Sequence, residues 1–214
     1  MEKLKSSLTN MVLVLVGFAL VVGAVLAAVN NLTEGPIKEK AAQTLAAGIK
    51  NVMGTEDLQV ADPENVSETI DGKAVEFVVH KCTDKQGKEL GAAVESTTSG
   101  FGGDLKVLVG FDPEGAILGY TILQHSETPG LGAKAGTWFQ KDGKGSIIGK
   151  SPKDGDLHVS KDDKSGNAVD AITASTITSR AFLKAINQAY AAYSQKAVDG
   201  ESGASKVEHN EKKG

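Results

Sequence analysis

A chain of 214 residues, 40% hydrophobic and 23% charged, has enough apolar material for one ordinary domain with extras. Its formal net charge of −4 excludes nucleic acid as an expected partner, because phosphate contacts need a basic face. The single cysteine, Cys82, allows no intramolecular disulfide and no cysteine metal cluster, and reads as a small core residue.

Residues 1–10 are largely polar, with Lys3 and Lys5, and Met11 to Val29 then runs without a charge. At about 1.5 Å per residue such a helix is roughly 28 Å long, about the thickness of a bilayer's hydrocarbon core. Lysines before it and Glu34 after it place the N-terminus in the cytoplasm and the remainder outside. A cleaved signal peptide, cut near Val25-Leu26-Ala27, is the competing reading. Signal h-regions run about 7 to 15 residues, so the length favours a retained anchor. On either reading the domain is exported.

Residues 30–55 read as a connector helix with Gly35-Pro36 as its opening turn. Ala41, Ala42, Leu45, Ala46, Ile49 and Val52 give it an apolar stripe. Asp57 to Glu68 is acidic and reads as a loop. Strand signals begin with Ala74 to Val79, and a turn at Lys85-Gln86-Gly87-Lys88 leads to Leu90 to Ser96. After the Gly-rich loop Thr97 to Asp104, Leu105 to Phe111 and Ala116 to Gln124 flank a tight turn at Asp112-Pro113-Glu114-Gly115. The pattern predicts an α+β fold, an antiparallel sheet flanked by helices. The Gly-rich loop lacks the Gly-Lys-Ser/Thr ending of a P-loop.

The next stretch, His125-Ser126-Glu127-Thr128-Pro129-Gly130-Leu131-Gly132, contains a Gly-x-Gly. A dinucleotide fingerprint must open a long helix, and Pro129 with Gly143, Gly145, Gly149 and Pro152 denies it one. His125 and Glu127 have no further ligand at metal-binding spacing, so taken alone this is a structural turn. Lys150 to Gly166 reads as a charged surface excursion. Asp170 to Ser179, D-A-I-T-A-S-T-I-T-S, is rich in hydroxyls and precedes an amphipathic helix with Phe182, Leu183, Ile186, Tyr190 and Tyr193 at helical spacing. Hydroxyls at a helix start cap free N–H groups. Those N–H groups and the helix dipole also attract anions. An N-cap and a phosphate site are both open on these residues alone. Residues 199–214 are polar and read as a disordered tail.

Asp170, Thr173 and Thr176 fit the motif D-x-x-[ST]-G-A-T, with Ala174 and Ser175 in place of its Gly and Ala. His125 to Gly132 fits H-x-E-T-P-G-L-G. These two motifs, in this order behind one anchor, resemble the FMN-binding subunits of Rnf and Na+-translocating NADH:quinone reductase complexes. The resemblance runs from about residue 5 to 195, and the short chain is more similar to the Rnf G subunit than to the quinone reductase C subunit.

The resemblance implies an FMN-binding domain over 56–198, behind a transmembrane helix over 11–29. It implies FMN joined covalently, by a phosphoester, to Thr176, with Thr173, Ser175 and Thr178 supplying hydroxyls near the phosphate. His125, Glu127, Thr128, Gly130, Leu131 and Gly132 would cover the flavin, His125 orienting the loop. Arg180 is either a phosphate contact or a solvated helix residue, and Trp138 and Phe139 are either core or flavin-stacking. The implied partners are other membrane subunits, a flavin transferase using FAD, and the lipid bilayer. The implied place is the inner membrane, single-pass, with the FMN domain on the extracytoplasmic side. The implied function is electron relay within an ion-translocating ferredoxin:NAD oxidoreductase, with no catalytic residue and no metal site of its own. The chain has too few cysteines for an iron–sulfur cluster. Two alternatives stand beside this: a quinone reductase C subunit, or an anchored extracytoplasmic binding or assembly module with no redox role, in which Thr176 is only a cap.

Overall fold

The computed structural model describes residues 8–70 and 73–201. They fall into two compact units, a first that ends at Leu45 and a second that begins at Ala46. Helix α1, Leu8–Met53, is continuous, so the opening turn expected at Gly35-Pro36 is not formed. Pro36 costs the helix one backbone hydrogen bond, and Lys38 spans the same turn by pairing with Glu34 at 2.6 Å. The stretch is long and apolar enough to cross a membrane, by length and composition. Of the cytoplasmic N-terminus expected over 1–10, residues 1–7 lie outside the described residues and 8–10 belong to α1.

The last turns of α1 belong to the second unit, where Gly48, Ile49, Val52 and Met53 are buried. Gly54 then ends the helix at φ +68°, a left-handed cap that glycine adopts freely. The strands that follow are β1 (Gln59–Val60), β2 (Glu64–Ile70), β3 (Lys73–Thr83), β4 (Glu89–Ser99), β5 (Asp104–Phe111) and β6 (Ile117–Gln124). They form one antiparallel sheet in the order β1-β3-β4-β5-β6, and β2 shares the edge of β3 with β1. The loop expected over Asp57 to Glu68 is therefore largely strand. Its alternation is Glu64, Val66, Glu68 and Ile70 half-buried with Asn65, Ser67 and Thr69 exposed, and acidic residues at an edge hid the pattern. The Gly-rich loop is shorter than expected, because β4 continues through Ser99.

Period-2 alternation divides the sheet into two faces. One face carries Phe77, Val79, Val94, Val107 and Val109, all fully or nearly fully buried. The other is met by the end of α1, where a Cβ at Gly110 or Gly119 would sit 2.6 or 2.8 Å from the Val52 carbonyl oxygen. Beyond the sheet come α2 (Ala135–Trp138), β7 (His158–Val159), β8 (Ala168–Val169) and α3 (Thr176–Glu201). Helix α3 lays Phe182, Leu183, Ile186 and Ala189 into the core on the first face. Phe182 stacks on Phe139 with ring centroids 4.4 Å apart and meets Tyr120 edge-on at 4.8 Å. Each such large buried side chain contributes about 1.5–3 kcal/mol. Phe139 is thus core.

Lys150 to Gly166 is no free excursion. Pro152, Leu157 and Val159 are buried, and β7 pairs in parallel with β8. Of the tail expected from 199, residues 199–201 continue α3 and the remainder lies outside the described residues.

Candidate functional site

Three loops converge where α3 begins. The first is the β4–β5 turn at 100–103, the second the stretch after β6, and the third the hydroxyl-rich stretch into α3. Glu127 ties them together. Its carboxylate is buried, with Oε1 accepting from the backbone N–H of Phe101 at 2.7 Å and of Gly102 at 3.3 Å. Oε2 accepts from the Thr178 hydroxyl at 2.7 Å. The fit leaves no space beside the carboxylate: a Cβ at Gly100 would lie 2.2 Å from Oε1, and one at Gly132 would lie 2.4 Å from Oε2. Charge-assisted bonds of this kind are the stronger ones. Glu127 and Thr178 thus face each other, and their hydrogen bond ties the loop after β6 to α3.

The backbone around Glu127 has local causes. His125 Nδ1 accepts the N–H of Glu127 at 3.2 Å. Pro129 and Gly130 occupy the centre of a turn closed by Leu131 N–H to Thr128 O at 3.1 Å, with Gly130 at φ +76°. Pro then Gly at the two central positions suits a type II turn. Gly130 serves that turn.

Between these loops lies a cleft of about 380 Å³. Glu127, Thr128, Leu131, Gly132, Ser175, Thr176 and Thr178 line it, joined by Phe101, Ala174 and Ile177, which the motifs do not single out as site residues. Thr173, His125 and Gly130 are not among its lining residues. Phe101, Leu131 and Ile177 are 66%, 42% and 55% exposed, so the rim offers three large apolar side chains to whatever enters. Thr176 is half-buried at the first position of α3.

The hydroxyl-rich stretch is pinned from behind. Ser179 Oγ accepts from the backbone N–H of Ile172 at 2.9 Å and donates to the Ser175 carbonyl at 2.9 Å. Trp138 Nε1 donates to the Asp170 carbonyl at 2.8 Å, so this indole supports the site stretch while Phe139 turns into the core. Ala174 sits at φ +62°, the only described non-glycine residue in the left-handed region, at the position where the motif has glycine.

Two further residues reach the site from the turn after β7. Lys161 Nζ donates to Thr176 Oγ1 at 3.3 Å. Asp162 accepts from Arg180, with Nε–Oδ2 at 2.8 Å and a second bond from Nη2. The Arg180 hydrogen bond holds the Asp162 carboxyl below its ordinary range, and the same pair raises Arg180. Arg180 is accordingly engaged by a carboxylate. The charged character of the 150–166 stretch was legible; its placement against Thr176 was not, because it depends on the β7–β8 pairing.

The last two strands of the sheet, the cleft and most of the C-terminal helix that borders it fall within an FMN-binding domain. The family model of that description matches residues 100–191, and a model of the RnfG N-terminal region matches residues 1–52. The chain is 34% identical to the G subunit of the Na(+)-translocating ferredoxin:NAD(+) oxidoreductase complex of Acetobacterium woodii, over 85% of this chain and 89% of that protein. It is 30% identical to the G subunit of the ion-translocating oxidoreductase complex of Shewanella piezotolerans, over 87% and 89%. The G subunit of the proton-translocating ferredoxin:NAD(+) oxidoreductase complex of Clostridium ljungdahlii is 36% identical over a shorter region, 49% of this chain and 54% of that one. The crystal structure of Shewanella oneidensis NqrC shares the fold, with a TM-score of 0.53 over 75% of this chain and 99% of that one at 15% identity. The chain belongs to the RnfG family, the G subunits of ion-translocating oxidoreductase complexes.

Proposed function

We propose that this protein is the FMN-carrying electron-relay subunit of an ion-translocating ferredoxin:NAD oxidoreductase complex, with the flavin esterified through its phosphate to Thr176. The observation that carries this reading is the position of the Thr176 hydroxyl, at the start of α3 on the wall of a cleft rimmed by Phe101, Leu131 and Ile177. The donor set fits the group. Free N–H groups and the helix dipole at the start of α3 favour a phosphate there, and Lys161 adds a positive charge beside the ester oxygen. The apolar rim suits a flat aromatic ring system. Bound flavin supplies the electron chemistry, and the protein supplies placement and tuning. Glu127 keeps the three loops in register, Thr178 locks Glu127 to α3, and Gly132 lets the loop approach that pair closely.

The apolar part of α1 anchors the chain in the bilayer and among the other subunits of the complex. Lys3 and Lys5 ahead of it support a cytoplasmic N-terminus and an extracytoplasmic flavin domain. A covalent bond suits that side, since a freely dissociating cofactor would be diluted away. A flavin transferase using FAD makes the attachment. The shared fold keeps a quinone reductase C subunit as the second reading, separable by which complex copurifies; an anchored module without redox chemistry would purify colourless.

The test is intact mass of the chain coexpressed with a flavin transferase, beside Thr176→Val. An added mass of about 440 Da, present in the native chain and gone in the variant, is expected. Persistence of that mass in the variant would move the attachment to another hydroxyl, Ser175 first.

A further inference from the structure

The turn after β7 is fastened to the hydroxyl-rich stretch on both sides of Lys161. On one side, Ser160 N–H donates to the Val169 carbonyl at 2.8 Å, and Ser160 Oγ donates to Asp170 Oδ1 at 2.8 Å. On the other, Asp162 takes the Arg180 guanidinium and its own N–H donates to the Val159 carbonyl at 2.9 Å. Lys161 lies between these fastenings, and its ammonium donates to Thr176 Oγ1 at 3.3 Å. Among the described residues no carboxylate lies within 4.0 Å of that ammonium, whereas Arg180 spends its charge on Asp162. Two anchored neighbours thus hold a long, flexible cation at one hydroxyl with its charge unneutralised by the described carboxylates. Exposed lysines gain little from a neutral hydroxyl.

We infer that Lys161 is the positioning residue for flavin attachment: it orients the Thr176 hydroxyl for esterification and then balances the charge of the phosphodiester. The inference rests on the reading of Thr176 as the attachment residue. In the transfer, Thr176 Oγ1 forms a bond to the flavin-side phosphorus of FAD. The pyrophosphate P–O bond to the nucleotide half breaks, AMP leaves with the bridging oxygen, and the hydroxyl proton passes to a base on the transferase. Nothing is oxidised or reduced. An ammonium has no lone pair, so Lys161 is not that base. By donating to a lone pair of Oγ1 it leaves the hydroxyl proton pointing elsewhere, open to the transferase. Once the ester exists, the same ammonium lies beside a fixed negative charge, where a charge-assisted contact replaces a weak neutral one.

The experiment compares the full-length chain with Lys161→Gln, Lys161→Arg and Thr176→Val. Each is mixed with a flavin transferase and FAD, and flavin mass gain is followed in time at low and high salt, with circular dichroism to establish equal folding. The expected result is flavinylation slowed on the order of tenfold in Lys161→Gln at low salt. Lys161→Arg restores most of the rate, and the gap between the native chain and Lys161→Gln narrows as salt screens the charge. A purely structural lysine would give neither the arginine rescue nor the salt dependence. Lys161→Gln reacting at the native rate, or Lys161→Arg reacting as slowly as Lys161→Gln, overturns the inference while leaving Thr176 as the acceptor. Flavin mass on Thr176→Val, or none on the native chain, overturns the attachment reading and the role of Lys161 with it.

Discussion

At position 174 an alanine holds φ +62°, a conformation that places its Cβ against the following carbonyl and costs roughly 1–2 kcal/mol. Glycine there would remove that strain but would lose about 0.5–1 kcal/mol to its extra freedom in the unfolded chain. Ala174→Gly is therefore expected to stabilise the protein by about 0.5–1 kcal/mol, roughly 2 °C in Tm, measured by thermal melts of the purified chain. A lower Tm would mean that the surrounding loop needs the methyl group. The departure at 174 is visible against the motif, yet only the backbone angle says that it is strained. Glu127 is a parallel case. Its place in H-S-E-T-P-G-L-G marks it as a site residue, and the structure adds what the motif does not say, that its carboxylate on the cleft wall accepts from Phe101, Gly102 and Thr178.

Between elements, a polar chain crosses three strands, with His80 and Glu95 buried and Lys106 at its half-exposed end. His80 on β3 meets Glu95 on β4 at 2.8 Å, and Lys106 on β5 reaches the other oxygen of Glu95 at 2.6 Å. Burial pushes the Glu95 carboxyl up, and the hydrogen bonds from His80 and Lys106 outweigh it, so the net shift is downward. A carboxyl that titrates lower when folded lends stability that is complete above its unfolded value, about pH 4.3, and is lost as pH falls through the depressed folded value. Glu95→Gln should cost about 2 kcal/mol at pH 7, with the difference from the native chain narrowing toward pH 3. Urea unfolding at the two pH values reads this directly, and an equal difference at both would show that the pair lends no pH-dependent stability. Strand signals in the sequence placed His80, Glu95 and Lys106 on or beside strands; cross-strand register made them partners.

For the molecule as a whole, α1 joins two kinds of surface in one helix. Its charge-free run from Met11 to Val29 is exposed and strongly apolar, and from Gly48 to Met53 it supplies buried residues to the second unit. At about 1.5 Å per residue the charge-free run alone is long enough for a bilayer core. Expressed with residues 1–29 in place, the chain should stay with membranes through alkaline carbonate and high salt, leave them with detergent, and keep those residues by intact mass. Release by carbonate, or a mass that begins after Ala27, would replace the anchor with a cleaved signal.

What the sequence determined by itself is whatever local chemistry can express. The charge-free run from Met11 to Val29, the β-rich segments with their turns, and the helical spacing from Phe182 to Tyr193 each depend on neighbours within a few positions, and the structure follows them. The two motifs pointed to the family in the same way, as short ordered strings. Tertiary structure decided what depends on distance. It made strand of the acidic stretch before Ile70, because pairing with β3 supplies hydrogen bonds that composition does not advertise. It carried α1 through Pro36, and it brought Lys161 and Asp162 from a charged turn to Thr176 and Arg180. Such contacts join residues far apart in the chain, and only the folded backbone, with its loop-closure entropy already offset by the core, sets which of them meet.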